Sequence, residues 1–218
     1  MRIRWYGQSA FLLTGSRRVF IDPFGNPGEA LAARGIEWNY PPIAESADLL
    51  LVTHEHMDHN AVDVIGGEAV VIRSTAGRFE SPIGEVVGIA SEHDDVAGTL
   101  RGPNTIFRFE LDGVRFSHLG DFGQAALRPE QRDAIGEVDV LFLPVGGGPT
   151  VGGQSAADIV HAVAPRLVVP MHYRTPAISF LDPPDEFLTA LGMPVTEAEG
   201  DTEIDGLEGV LLLATPTA

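Results

Sequence analysis

The feature that most constrains the fold of this chain is a weak internal repeat. Ala10-Phe11-Leu12-Leu13-Thr14-Gly15 through Phe20-Ile21-Asp22 parallels Ile106-Phe107-Arg108-Phe109 through Gly120-Asp121, and each stretch reads as a β-hairpin ending in an aspartate. Ala47-Asp48-Leu49-Leu50-Leu51-Val52 parallels Val138-Asp139-Val140-Leu141-Phe142-Leu143, and Ala69-Val70-Val71-Ile72 parallels Leu167-Val168-Val169-Pro170. Short apolar runs of this kind read as buried strands. Each half is therefore hairpin, strand, helix, strand. Two similar sheets packed face to face with helices outside form an α/β (α+β), four-layer αββα sandwich. The expectation is one domain over 1–218, with halves of about 1–100 and 101–218. Corresponding strand ends then meet at one edge. Asp22, the loop 54–59, Asp121, the Gly-rich loop 146–153 and His172 all fall there.

In chain order, strands are expected over 2–6, 10–14, 18–22, 48–52, 68–72, 85–90, 105–111, 114–118, 138–144, 166–170 and 209–214. Asp112-Gly113 is a strong hairpin signal. Helices are expected at the start of 60–66, over 129–135 with Pro129 in the first turn, near 156–163 and over 183–191. Residues 23–46 form a long Pro/Gly/Ala-rich loop with Trp38, Tyr40 and a helical turn near Glu29–Arg34. It reads equally as a functional lid or as a cover that packs Trp38 on the core.

Chemistry concentrates in Thr53-His54-Glu55-His56-Met57-Asp58-His59, directly after an apolar strand. His54 and His56 are two apart and project the same way in extended backbone. Asp58 and His59 follow a bend, so the run can feed two adjacent metal ions. Nitrogen and carboxylate ligands without thiolate suit zinc, and also manganese or iron. The chain has no cysteine, which excludes disulfides and thiolate ligands.

This run resembles the His-x-His-x-Asp-His signature of the metallo-β-lactamase superfamily, which implies an αββα fold and usually a dinuclear site. The resemblance extends from the Gly7-Gln8-Ser9 hairpin through His118-Leu119-Gly120-Asp121 to Pro170-Met171-His172-Tyr173. It is closest in pattern to the branch with L-ascorbate-6-phosphate lactonase and N-acylphosphatidylethanolamine phospholipase D. Gln8, where that branch often has histidine, and Val151-Gly152-Gly153, where relatives tend to have aspartate, depart from it. The resemblance implies His172 as the final ligand and Asp121 as the bridge between metals. The third ligand of the first metal is His93 or His118. His93 follows a strand end in a polar loop and is preferred, which leaves His118 to line the pocket. The assembled set is His54, His56 and His93 on one metal, Asp58, His59 and His172 on the other, and Asp121 between them.

Metal-bound imidazoles need partners that fix their tautomer. Asp22 is the best such candidate, because the repeat sets it opposite Asp121; Asp94 and Asp95 are weaker ones. His161 reads as structural. Thr150, Gln154, Tyr173 and Arg174 are candidate substrate contacts, with Arg174 suited to a carboxylate or phosphate. The Gly-rich loop lacks the Gly-Lys-Ser/Thr of a phosphate-binding P-loop.

These features imply a metal-dependent hydrolase with two divalent ions and a bridging hydroxide, which Asp58 orients or deprotonates. A lactone, ester or phosphodiester is the expected small-molecule substrate. The alternatives are a non-catalytic metal-binding or regulatory protein and a nuclease. A net charge of −17 argues against a nucleic-acid groove, which needs a basic face. The alternating Met1-Arg2-Ile3-Arg4-Trp5-Tyr6 start has no signal-peptide core, and no run is long enough for a membrane span, so the expected location is cytoplasmic.

Overall fold

The computed structural model describes residues 1–33 and 35–216. The first hairpin set comprises β1 (Arg2–Gly7), β2 (Ala10–Thr14) and β3 (Arg18–Ile21). There follow α1 (Gly28–Ala32), β4 (Glu45–Ser46), β5 (Leu49–Val52), a 3-10 turn at Val62–Val64, β6 (Ile65–Gly66) and β7 (Val70–Arg73). Next come β8 (Gly77–Ser81), β9 (Gly84–Glu92), β10 (Pro103–Leu111), β11 (Val114–His118), α2 (Pro129–Ile135) and β12 (Val140–Pro144). The chain closes with α3 (Gly153–Val163), β13 (Leu167–Met171), α4 (Asp185–Leu191), β14 (Val195–Ala198), β15 (Thr202–Glu203) and β16 (Gly209–Leu213).

The repeat is real in the sheets. β2, β3, β5 and β7 are ordered antiparallel, parallel, parallel, and β10, β11, β12 and β13 follow the same scheme. Even its junctions match. Asp48 N donates to Arg18 O, and a carboxylate oxygen of Asp48 accepts from Arg18 N; Asp139 and Arg115 repeat both bonds. The register corrects one expectation. Pairing of Ile21 with Leu51 and of His118 with Phe142 makes Asp22 equivalent to Leu119, so Asp121 lies two residues beyond the position opposite Asp22.

The halves also interleave. The hairpin β8–β9 joins the second sheet, whose order is β14-β16-β13-β12-β11-β10-β9-β8. In return β15 closes the first sheet, β15-β1-β2-β3-β5-β7. Strands β8, β14 and β15 carry no apolar alternation and lie outside the sequence expectation.

The strand faces sort by period two. Phe11, Leu13, Val19, Ile21, Leu49 and Leu51 face the second sheet within the main core, while Ala10, Leu12, Phe20 and Leu50 face outward into a second cluster. The two sheets meet directly where the Phe11 and Phe142 rings lie 4.6 Å apart. Strands β5, β12 and β13 are buried at every residue, which is why they read as unbroken apolar runs.

The second sheet is covered by helices: α2 on β9, and α3 on β12 beside α4. On the first sheet the 23–46 loop takes that place. Trp38 packs edge-on against Phe24 at 4.9 Å and Tyr40 at 5.1 Å, over Phe20 and Leu50. The cover role of this loop is thus the one the packing supports. Helix α1 overlaps the expected helical turn but begins one residue earlier, at Gly28; Arg34 of that turn lies outside the described residues. Among the described residues no helix is long and apolar enough to cross a membrane.

Candidate metal centre

The parallel strands β3, β5, β11 and β13 all deliver their carboxyl ends to one edge, the usual place for a site in such sheets. The chain turns sharply there. Asp22, at the end of β3, and His172, at the end of β13, both have φ of 50°, and Gln8 has φ of 47°. Left-handed backbone at non-glycine residues is strained by about 1–3 kcal/mol each and is held only by surrounding structure. His172 N donates to Gln8 O at 3.2 Å, and Gly146 N donates to His172 O at 3.1 Å. A side chain at Gly146 would meet His172 O at 2.2 Å, so the Gly-rich loop serves to let the His172 backbone approach.

Two groups of donors converge. His54, His56 and His93 form one, and Asp58, His59 and His172 the other, each with donor atoms within 4.8 Å of one another. Asp121 Oδ2 lies between them, 3.1 Å from His93 Nε2, 3.2 Å from His172 Nε2, 3.3 Å from His59 Nε2 and 3.9 Å from His54 Nε2. His54, His59, His93, Asp121 and His172 are buried, and His56 is the least enclosed of its triad.

The imidazoles are held from behind. Asp22 is fully buried and accepts from Thr53 N at 2.7 Å, Thr53 Oγ1 at 2.7 Å and His59 Nδ1 at 3.1 Å. With Nδ1 held by Asp22, His59 directs Nε2 toward Asp121 and Asp58. His93 Nδ1 donates to the Pro149 carbonyl at 3.0 Å, which leaves its Nε2 facing Asp121 in the same way. Ser9 Oγ donates to Asp121 Oδ1 at 3.1 Å, and Asp121 N donates to Asn104 Oδ1 at 3.1 Å. Ser9, Thr53, Asn104 and Pro149 were not among the expected site residues; all four act through pairings with distant segments that carry no local signal.

Burial lowers the pKa values of His54, His56 and His172, and neighbouring imidazoles add to it, so their lone pairs are free at neutral pH. For His59 burial also pushes downward, but Asp121, Asp58 and Asp22 outweigh it and raise the pKa well above normal. Burial raises Asp121 and Asp58, yet the surrounding histidines hold both below the usual carboxylate range.

The donor set fits metal ions. Among the described residues His59 Nε2 and His172 Nδ1 are buried without a hydrogen-bonding partner. No arginine among the described residues lies against Asp121, and buried carboxylates of this kind require a compensating cation. Ligation needs neutral imidazoles and ionised carboxylates; His54, His56, His172, Asp58 and Asp121 are already in those states, whereas His59, charged by its carboxylate neighbours, would exchange its Nε2 proton for a metal cation.

Other candidates lie elsewhere. His118 is fully buried in β11 with both nitrogens used: Nε2 donates to Ser9 O at 3.0 Å, and Nδ1 accepts from Gly120 N at 3.1 Å. Tyr173 turns away from the cluster, packs tilted against Trp5 with ring centroids 5.3 Å apart and donates to Leu213 O at 3.3 Å. Arg174 Nε donates to Leu181 O at 2.6 Å, which fixes the following loop. Gln154 bonds Asp158 within α3, and Thr150 bonds its own turn at Gly147 O. Asp94 anchors four backbone N–H groups of residues 96–101.

Residues 2–172 match the sequence model of the beta-lactamase superfamily domain. A metal-dependent hydrolase from Thermococcus kodakarensis is 33% identical over 88% of this chain and 92% of its own length. A Thermotoga maritima protein assigned to the Zn-dependent hydrolases of the metallo-beta-lactamase superfamily superposes with a TM-score of 0.79 and 28% identity, over 98% of each chain. A metallo hydrolase from Ignicoccus hospitalis shares the fold, with a TM-score of 0.65 and 21% identity over 99% of this chain and 95% of that one.

Proposed function

The chain belongs to the metallo-β-lactamase superfamily and is a metal-dependent hydrolase; from that premise we propose a dinuclear centre that hydrolyses a small lactone, ester or phosphodiester. The observation that carries this reading is the meeting of two separate donor triads on one buried oxygen, Asp121 Oδ2. His54, His56 and His93 would hold one divalent ion, and Asp58, His59 and His172 the other, with Asp121 shared. Zinc suits this nitrogen-rich set best, with manganese or iron as alternatives. Bound ions would supply Lewis acidity and lower the pKa of water toward ~7.

The protein's own groups set orientation and proton flow. Asp22 and the Pro149 carbonyl occupy Nδ1 of His59 and His93, so that Nε2 of each is the nitrogen left to face a metal ion. Ser9 and Asn104 hold Asp121 from behind, which keeps Oδ2 at the junction. Asp58 is the most open of the cluster's carboxylates, with its side chain 24% exposed against 3% for Asp121. It is therefore placed to orient an attacking water and accept its proton. A small molecule suits this chain better than nucleic acid, because its arginines are mostly spent in ion pairs within an acidic surface.

The test is metal content per chain by inductively coupled plasma mass spectrometry, followed by hydrolysis of generic p-nitrophenyl esters and bis(p-nitrophenyl) phosphate. About two ions per chain are expected, fewer in Asp121→Ala, with activity lost in His56→Ala while the fold is retained. Failure to bind metal after loading with zinc, manganese or iron, or undiminished hydrolysis by the chelated protein, refutes the reading.

A further inference from the structure

A cavity of about 130 Å3 opens beside the first triad, lined by His54, His56, Ser74, Arg101, Pro103 and Thr105 among others. Arg101 brings a cation to its wall. The one carboxylate in its wall, Glu55, is already neutralised by Arg73, whose Nε and a terminal nitrogen lie 2.7 and 2.6 Å from the two carboxylate oxygens. Arg101 is exposed, and among the described residues its guanidinium has neither a carboxylate nor a backbone acceptor. That is unusual in this chain, where Arg4, Arg17, Arg18, Arg73, Arg115 and Arg128 all pair with acids. The hydroxyl of Thr105 is likewise without a partner among the described residues and lines the same space.

Arg101 is also held in place. The Asp94 carboxylate is buried and gathers the backbone N–H groups of Val96, Gly98, Leu100 and Arg101 at 2.7–3.0 Å. The 94–101 loop is therefore fixed immediately after His93, and it carries Arg101 to the mouth of the cavity. Such preorganisation reduces the ordering cost of binding.

We propose that Arg101, with Thr105, forms an anion subsite beside the His54–His56 pair, and that the substrate carries a carboxylate or phosphate a short distance from its scissile bond. A cavity of about 130 Å3 admits a carboxylate or phosphate. The planar guanidinium binds both anions in bidentate fashion. In a chain of net charge −17, an unpaired arginine at this point gives local attraction that the overall field opposes.

The subsite rests on the hydrolase reading, and two readouts separate them. The first is binding, followed by 1H–15N NMR on the metal-loaded full-length protein titrated with glutarate, inorganic phosphate or the neutral dimethyl glutarate. Glutarate or phosphate should bind, and dimethyl glutarate should not, with Kd raised about tenfold or more in Arg101→Gln, equivalent to ~1.4 kcal/mol. Arg101→Lys should recover part of it, as a point charge without the fork. Whichever anion shows the larger Arg101 dependence identifies the source. The second is the ratio of kcat/KM for mono-p-nitrophenyl glutarate to that for p-nitrophenyl acetate, which should fall about tenfold in Arg101→Gln, mainly through KM. Anion affinity and ester preference unchanged in Arg101→Gln overturn the subsite. Arg101-dependent binding with no metal-dependent turnover of these esters, of bis(p-nitrophenyl) phosphate or of simple lactones would instead refute the proposed hydrolytic chemistry and leave the subsite standing.

Discussion

Asp22→Asn is the sharpest perturbation of the candidate metal centre. The Asp22 carboxylate is fully buried and accepts three hydrogen bonds, from Thr53 N, Thr53 Oγ1 and His59 Nδ1. Asparagine is nearly isosteric but offers one acceptor oxygen and two N–H donors. If its oxygen stays on Thr53, its amide N–H faces His59 Nδ1. His59 then shifts its proton to Nε2, the tautomer that cannot ligate. If the oxygen turns to His59 instead, the Thr53 N–H is left buried against another donor. Either arrangement leaves an unmet buried donor or a lost charge-assisted bond, a cost of about 3 kcal/mol. For a chain of this length that lowers Tm by about 6–12 °C. The tautomer effect adds a loss of about 10- to 100-fold in affinity at the second metal position, or ~1.4–2.7 kcal/mol. Thermal unfolding reads the first quantity, and zinc titration against a chromogenic chelator reads the second. Asp22→Asn with wild-type affinity for both ions would refute the argument that Asp22 acts through His59. A protein that loses stability alone would reduce Asp22 to a strand-end clamp on Thr53.

The same structure yields three further expectations. His93→Ala should remove about one metal ion per chain, whereas His118→Ala should keep its metal and lose stability by about 2–4 kcal/mol, because His118 is enclosed between Phe11 and Phe142 with both nitrogens bonded; equal metal loss in both variants would contradict the assignment. Gly123→Ala should lower Tm and weaken the first metal position together, since a Cβ there would lie 2.4 Å from the His93 carbonyl carbon and 2.6 Å from Asp94 N; a variant with unchanged Tm and metal content would show that the backbone yields freely. Asp139 is held down from 3.8 to about 2, first by its hydrogen bonds from the Arg115 side chain, with its own side chain 25% exposed. Because the folded pKa is depressed, its contribution is fully present above about 4 and disappears as pH falls toward about 2. Discounted for that exposure, the shift corresponds to about 1–2 kcal/mol. Urea unfolding of wild type and Asp139→Asn should therefore differ at pH ~5, with the gap narrowing steadily as pH falls toward ~2; a gap that stays constant would exclude the Arg115 pairing as its source.

Much of the architecture was legible because it is written in short-range patterns. Unbroken apolar runs marked β5, β12 and β13, and their spacing after two hairpins revealed the duplicated sheet. Strand ends carry ligands because sequence there is free of the core's demand for apolar side chains. His54, His56, Asp58, His59, Asp121 and His172 accordingly stood out as polar residues following apolar strands. What failed was whatever depends on segments meeting from afar. Strands β8, β14 and β15 are edges with little apolar alternation, and their pairing comes from neighbours rather than from their own residues. Tyr173 follows a candidate ligand directly, yet beyond the sharp turn at His172 its ring goes to Trp5 and its hydroxyl to Leu213.

By itself, then, the sequence determined the two-sheet sandwich, the edge on which it opens and most of the donors gathered there, because strand period and ligand type are local properties. Tertiary structure alone decided that His93 and not His118 reaches Asp121, that Asp22 grips His59, that Ser9 and Asn104 hold Asp121, and that residues 23–46 cover the first sheet. Those outcomes rest on the direction of individual side chains across contacts separated by tens of residues, and direction of that kind is fixed only when both sheets have packed.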